Sequence, residues 1–327
     1  MNNDKLIKLS SITKKLLVAI LGSFLLLFLL FHMTANLFIL YNDGGNAYSA
    51  FCHFMGTNIF VKIMELILLG SLLLHMCLAS YLWYTNRRNR PVPYHRPNRT
   101  KTAPGSKLAM ITGSLILVCL LFHFYDFFFV KVNIVKGTYM VKTEELSKTK
   151  ELENELMKAD QGTLDAFMWY FEATESDNEG MLSEMSVPDE LKKEVENNAQ
   201  LAAAVHTAWY ITKSLDSDRI SSDHKWLRKI DASQKEEMEQ FFPEAEFEPD
   251  FYNMARQKFS VWHVVLCYLL FIALVGIHVR HGFESAFQTF GLNHYKYSRI
   301  IEVLAIIYCW VICVGFAIVP LGVLLVL

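Results

Sequence analysis

Four histidines stand one each inside long apolar stretches: His32 in LLLFLLFHMTANL, His75 in SLLLHMCLA, His123 in VCLLFHFYDF and His278 in ALVGIHVR. An ionisable ring in such a setting is expensive, and its usual justification is function. Neutral imidazole is a good ligand for transition metals. Two imidazoles on opposite faces of a haem iron leave no open position for oxygen and make a low-spin electron carrier. Four histidines therefore have the chemistry of axial ligands to two haems.

Their depths support that reading. With a helical rise of 1.5 Å per residue, counting from one membrane face puts His32 about 24 Å deep and His123 about 22 Å deep. His75 lies about 13 Å deep, and His278 about 7–13 Å depending on where its helix ends. Because successive spans alternate in direction, the four separate into an outer pair, His32 with His123, and an inner pair, His75 with His278. Ligands of a single metal would have to converge on one point, whereas these form two levels. A proton relay would call for interior carboxylates, and only Glu65 and Asp126 come near the apolar interior, both toward the outer side.

Five segments are long and apolar enough to position these residues: Leu16–Leu40, Phe60–Tyr84, Leu108–Val130, Ser260–His281 and Ile300–Leu327. A span needs roughly 20 apolar residues to cross the hydrocarbon layer. The first is too long for the core of a signal peptide and lacks a small-residue cleavage site, so it is expected to be retained. The five apolar segments, four of them histidine-bearing, enclose a stretch of another character. Of the chain's 33 acidic residues, 27 fall within 133–257, against 14 basic ones. The rest of the 327 residues carries 17 basic and 6 acidic side chains. The overall charge of −2 averages a basic membrane domain with an acidic, water-soluble insertion.

Short loops set the orientation. Residues 85–107 contain seven Lys or Arg and no acid, and the N-terminal tail holds Lys5, Lys8, Lys14 and Lys15 against Asp4. Basic short loops stay in the cytoplasm, which places the N terminus inside and the C terminus and the insertion outside. The expected organisation is three-part: 1–132 with three spans, the insertion 133–257, and 258–327 with two spans. The fold class is all-α, with four helices forming a haem-binding bundle, a fifth beside it, and a mostly helical soluble insertion. Within the insertion, helices are expected over 188–215, 166–171 and 234–242, and loops over 176–180 and 242–250. His206 and His224 there read as ordinary residues. None of the six cysteines forms a CxxC pair, and Cys309 and Cys313 read as packing residues on one helix.

Longer motifs connect these features: SSITKK and LFHMTANL, then DGGNAY, LLLHMCLA and NRRNRP, then LFHFYDF, and at the fourth exit HVRHGFESAFQTFGLN. In these the chain resembles the cytochrome b subunit of succinate dehydrogenase and fumarate reductase, the single-polypeptide, five-helix, di-haem type. The likeness covers about 200 residues, all but the insertion. It implies that His75 and His278 hold the haem b nearer the cytoplasm, and His32 and His123 the distal haem b. It implies two partner subunits on the cytoplasmic face of a bacterial inner membrane, a flavoprotein with FAD and an iron–sulfur protein. Electrons would pass between the succinate/fumarate couple there and quinone, usually menaquinone, in the bilayer. The dicarboxylate chemistry would belong to the partners, and no nucleic acid is expected among them. Arg87, Arg88, Lys107 and Arg280 near the inner face are candidates to pair haem propionates. Glu65, Asp126 and His263 on the outer side are candidates for quinone proton exchange. An alternative is the di-haem anchor of a hydrogenase or formate dehydrogenase, which lacks this exit motif. The chain departs from the family in two places: Gly276 stands where some members have a glutamate of a proton path, and the insertion replaces a short outer loop.

Overall fold

The computed structural model describes residues 10–41, 43–89, 104–143, 145, 159–178, 188–199, 201–202, 205–206, 209, 225–241, 245–292, 294 and 296–326. The chain divides into two compact units, Met1–Val132 with Met254–Leu327, and Asn133–Asn253.

The first unit is built from five apolar helices, Ser11–Leu40, Ile59–Arg88, Leu108–Lys131, Trp262–Thr289 and Ser298–Leu325, here numbered as spans one to five. Their most apolar stretches have mean hydropathies of 2.0 to 2.6, yet only 6–22% of each is buried within the protein. Leu27, Leu66, Phe122 and Trp310 are each at least 66% exposed. Helices that are apolar on every side, with their large side chains facing outward, are matched to lipid rather than water. The protein is a multi-pass membrane protein whose solvent is the bilayer.

Polar residues mark the span ends. The Ser10 hydroxyl accepts from Thr13 N at 3.1 Å, and Asn58 Oδ1 accepts from Phe60 N at 2.9 Å. Each satisfies an amide that the first helical turn leaves without a partner. The loop 41–59, which showed no element in the sequence, folds into a further helix, Asn46–Thr57. It starts where Gly44 and Gly45 take φ of 67° and 84° and the Asp43 carboxylate accepts from Gly45 N and Ala47 N. The left-handed backbone suits glycine.

The fourth helix corrects an expectation. It does not end at His281 but continues through Gly282 to Thr289 without a break. Gly282 is a weak helix former, but a single glycine costs only about 1 kcal/mol, and the residues on both sides favour continuation.

Close packing between spans four and five rests on small residues. A Cβ at Gly276 would collide with the Cys313 sulfur, and one at Gly315 with the Met33 side chain of span one. The Cys309 and Cys313 thiols point at the carbonyls of Gly276 and Ile272 on span four, so both cysteines pack against that helix. A glutamate at 276 has no room.

The insertion is not wholly helical. β1 (Tyr139–Lys142) lies between β2 (Trp226–Ile230) and β3 (Glu248–Pro249), antiparallel to both, in the order β2-β1-β3. Met140, Val141, Leu227 and Ile230 are at most 1% exposed. Such short strands, buried on both faces, show no polar–apolar alternation in sequence. Helices run over Gln161–Asn178, Asp189–Asn197 and Ala232–Phe241. The first continues through 176–178, where a loop was expected. Within 188–215, beyond Asn197, Asn198 is in a turn, the described helical residues are Ala199, Leu201, Ala202, Val205, His206 and Trp209, and the remainder lies outside the described residues. His206 is 3% exposed, with Phe171 at 4.6 Å and Trp209 at 5.7 Å between ring centroids. His224 lies outside the described residues. At the start of the first helix, Asp160 accepts from the backbone and hydroxyl of Thr163, which holds its carboxyl below the ordinary carboxylate value. That contribution is present above the unfolded carboxyl's pKa and is lost as pH falls through the lowered one.

Asp250, fully buried, closes this unit. It accepts from Lys229 N at 3.2 Å, Asn253 N at 3.2 Å and Asn253 Nδ2 at 2.6 Å. Asp250→Ala leaves these donors unmatched, each costing about 1–3 kcal/mol. The expected result is a lower unfolding temperature for the insertion, read by hydrogen exchange in β2, with the spans unaffected.

Candidate functional site

The four intramembrane histidines form two pairs. In the outer pair, the rings of His32 and His123 are 6.0 Å apart between centroids and inclined at 76°. Asn36, one turn after His32, holds one nitrogen of that ring, Nδ2 to Nε2, at 3.3 Å, and is itself bonded to Tyr48 through Oδ1. Phe28 and Phe316 flank the His32 ring at 5.3 and 5.7 Å. His123 Nδ1 lies 3.5 Å from the Tyr268 hydroxyl, and Phe127 packs on its ring at 5.3 Å. His123 thus keeps Nε2 clear of these contacts, whereas in His32 it is Nε2 that meets the Asn36 amide.

The inner pair, His75 and His278, is looser: the two rings make no contact with each other among the described residues, though they are close enough for their charges to interact. Both rings use the same device. The His75 ring sits over Gly22 of span one, with Cε1 3.3 Å from where a Cβ would be. The His278 ring sits over Gly113 of span three, again at 3.3 Å. In each case the missing side chain lets an imidazole approach the helix beside the backbone of the residue four earlier, Val18 or Ala109. His278 Nδ1 is also 3.2 Å from the Thr112 hydroxyl. His75 Nδ1 is buried beside the Val18 backbone, outside hydrogen-bond geometry, and has no hydrogen-bond partner among the described residues. Gly22 and Gly113 receive histidine rings, Gly276 receives cysteine sulfurs, and a Cβ at Gly70 would meet nothing within 4 Å.

The outer pair fits a bis-histidine haem. Two imidazoles reaching about 2 Å to a shared metal, from ring atoms about 1 Å off their centroids, stand roughly 6 Å apart, as the outer rings do. A metal-ligating histidine also donates its second nitrogen's proton to fix its orientation, and the hydroxyl oxygens of Tyr268 and Thr112 are placed to accept it. The orphaned His75 Nδ1, with the glycine cradle beneath it, is consistent with a ring positioned for a ligand on its far nitrogen. Among the described residues no three His, Cys, Asp or Glu side chains converge on a point. A single-ion site built from three such protein ligands is therefore not supported there.

No protein-family model matches this chain, and neither a curated protein nor a solved structure matches it significantly.

The other candidates are dispersed. Glu65 pairs with Lys131 of span three at 2.5 Å, not with Lys62 one turn earlier. Asp126 lies in a π-helical turn, Phe124–Phe128, that begins directly after His123. It accepts from Tyr268 at 3.2 Å and pairs with Lys258 at 2.6 Å. His263 is exposed at the start of span four, edge-on to Trp262 at 5.7 Å, and is not part of either carboxylate site. At the other end, Arg87 lies over the Trp83 ring at 5.6 Å and Arg280 is 3.7 Å from Glu284. Arg88 is exposed, and the Lys107 side chain lies outside the described residues.

Sequence reasoning missed Asn36, Thr112, Tyr268 and Lys258. Each is a polar residue in or beside a span, so a list of polar residues at the depths of the histidines would have included them. Only the fold shows which histidine each one faces.

Proposed function

We propose that this chain is the membrane-anchor and electron-transfer subunit of a succinate:quinone oxidoreductase, holding two haems b, the inner on His75 and His278 and the outer on His32 and His123. The observation that carries the reading is the 6.0 Å approach of the His32 and His123 rings, with the half-buried rings of His75 and His278 seated over glycines of neighbouring helices. A haem held in this way takes up one electron and passes it on. The chain's own residues do the rest. Thr112, Asn36 and Tyr268 hold the rings, the glycines set how closely they approach, and the apolar spans exclude water.

In this reading the basic loop 85–107 and the extended end of span four face the cytoplasm, where a flavoprotein with FAD and an iron–sulfur subunit dock. The insertion faces the outside of a bacterial inner membrane. Menaquinone reacts near the outer haem, with Glu65 and Asp126 the groups within reach of the outer interface. Each elementary charge crossing the full field then exchanges roughly 2.3 kcal/mol per 100 mV with the membrane potential.

The test is a reduced-minus-oxidised spectrum with a haem-to-protein ratio on the purified protein. Two low-spin b haems per chain are expected, and a colourless protein overturns the reading. Co-purification with FAD and iron–sulfur proteins is expected of the complex. In vesicles, turnover is expected to respond to an imposed potential; indifference to it would remove the outer quinone site.

A further inference from the structure

We propose that Tyr268 is a positioning residue for His123, backed by the fixed charge of Asp126, and that it sets the reduction potential of the outer haem. The proposal rests on the di-haem reading above.

The groups form a chain across three elements. Lys258, in the helix Phe251–Phe259 that precedes span four, places its ammonium 2.6 Å from Asp126 Oδ1. The paired carboxylate is ionised and can only accept hydrogen bonds. Tyr268 on span four therefore donates its hydroxyl proton to Asp126 Oδ2, at 3.2 Å. With that proton committed, the phenol oxygen offers a lone pair to His123 Nδ1, at 3.5 Å. His123 consequently carries its proton on Nδ1, and its Nε2 lone pair is free for iron. The tautomer is determined by the direction of the hydrogen bonds, starting from the lysine.

The surroundings keep this chain in place. Phe259 meets the Tyr268 ring edge-on at 5.0 Å, and Phe127 packs against His123. Asp126, three residues after His123 and within the π-helical turn, lies on the same side of span three, and both reach the same phenol. Such turns concentrate at functional sites. Asp126 is 13% exposed, so its charge acts in a medium that screens it weakly. A carboxylate acting through a hydrogen bond makes the histidine a stronger electron donor. It favours the oxidised haem and lowers its potential. Among the described residues the inner pair has no equivalent: His278 Nδ1 meets the neutral Thr112 hydroxyl, and His75 Nδ1 has no hydrogen-bond partner.

The experiment is a spectroelectrochemical titration of the full-length protein and two variants, Tyr268→Phe and Asp126→Asn. The haem affected is identified as the one missing in His32→Ala. Both variants are expected to keep two haems and to raise the potential of the outer one. A tenfold change in its reduction equilibrium corresponds to 59 mV, and the inner haem should stay where it is. Unchanged potentials in both variants, or equal shifts of both haems, overturn the proposal. If Tyr268→Phe loses the outer haem, Asp126→Asn decides, because it keeps the phenol and removes only the charge; an unchanged outer potential there overturns it. A wild-type protein without haem overturns the functional reading itself, which is a different failure.

Discussion

His278→Ala is expected to carry one haem per chain where the wild type carries two, and the haem that remains is the one held by His32 and His123. Removing one imidazole of a pair leaves iron with a single protein ligand in an apolar space, and the group is retained poorly. The outer pair has its own supports, Asn36 and Tyr268, neither of which touches His278. The loss should therefore be confined to one haem. Pyridine haemochrome assay against protein concentration gives the ratio, and low-temperature spectra show whether one of two α-bands has gone. His75→Ala should give the same spectrum, because in the proposed arrangement both residues serve the same iron. His281→Ala is the control. His281 lies one turn beyond His278, faces Glu284, and should leave both haems in place. Retention of two haems in both His278→Ala and His75→Ala would sink the ligand assignment.

Gly22→Leu and Gly113→Leu are expected to mimic those losses without altering a ligand. At each glycine a bare Cβ already falls 3.3 Å from an imidazole carbon, so a branched side chain has to displace the ring. Overpacking a close interface costs about 1–3 kcal/mol, and here the ring also loses its place over the helix backbone. Loss of the inner haem with retention of the outer is the expected result for both. Gly70→Ala is a sharp contrast: its Cβ would meet nothing within 4 Å, and alanine is about 1 kcal/mol better than glycine in a helix. It should keep both haems and be no less stable. If the leucine variants hold both haems with unchanged spectra, the glycines are spacers for helix packing and do not position the histidines.

The five spans and the four intramembrane histidines were legible because each is a property of a contiguous stretch. Twenty or more apolar residues can cross the bilayer in only one regular way, since every backbone group must be satisfied inside the segment. Counting along helices that alternate in direction also puts His32 level with His123. The insertion was less legible. Its strands are four, five and two residues long, and they pair across long separations: Tyr139 with Ile230, and Met140 with Glu248. No local pattern announces such pairing. The run-on of span four past Gly282 was misjudged because glycine and charge mark a change of solvent, which need not coincide with the end of a helix.

By itself, then, the sequence determined that this protein lives in a bilayer, which residues are too costly to sit there without a purpose, and at what depth each one lies. Rise per residue and the cost of burying polar groups are one-dimensional constraints. Rotation and approach are not. That Glu65 meets Lys131 rather than Lys62, that Gly22 and Gly113 receive imidazoles, and that a lysine, an aspartate and a tyrosine line up behind His123 all depend on how neighbouring helices turn toward one another. Side chains near helix surfaces decide that, many weak contacts at a time, and only the tertiary structure records the outcome.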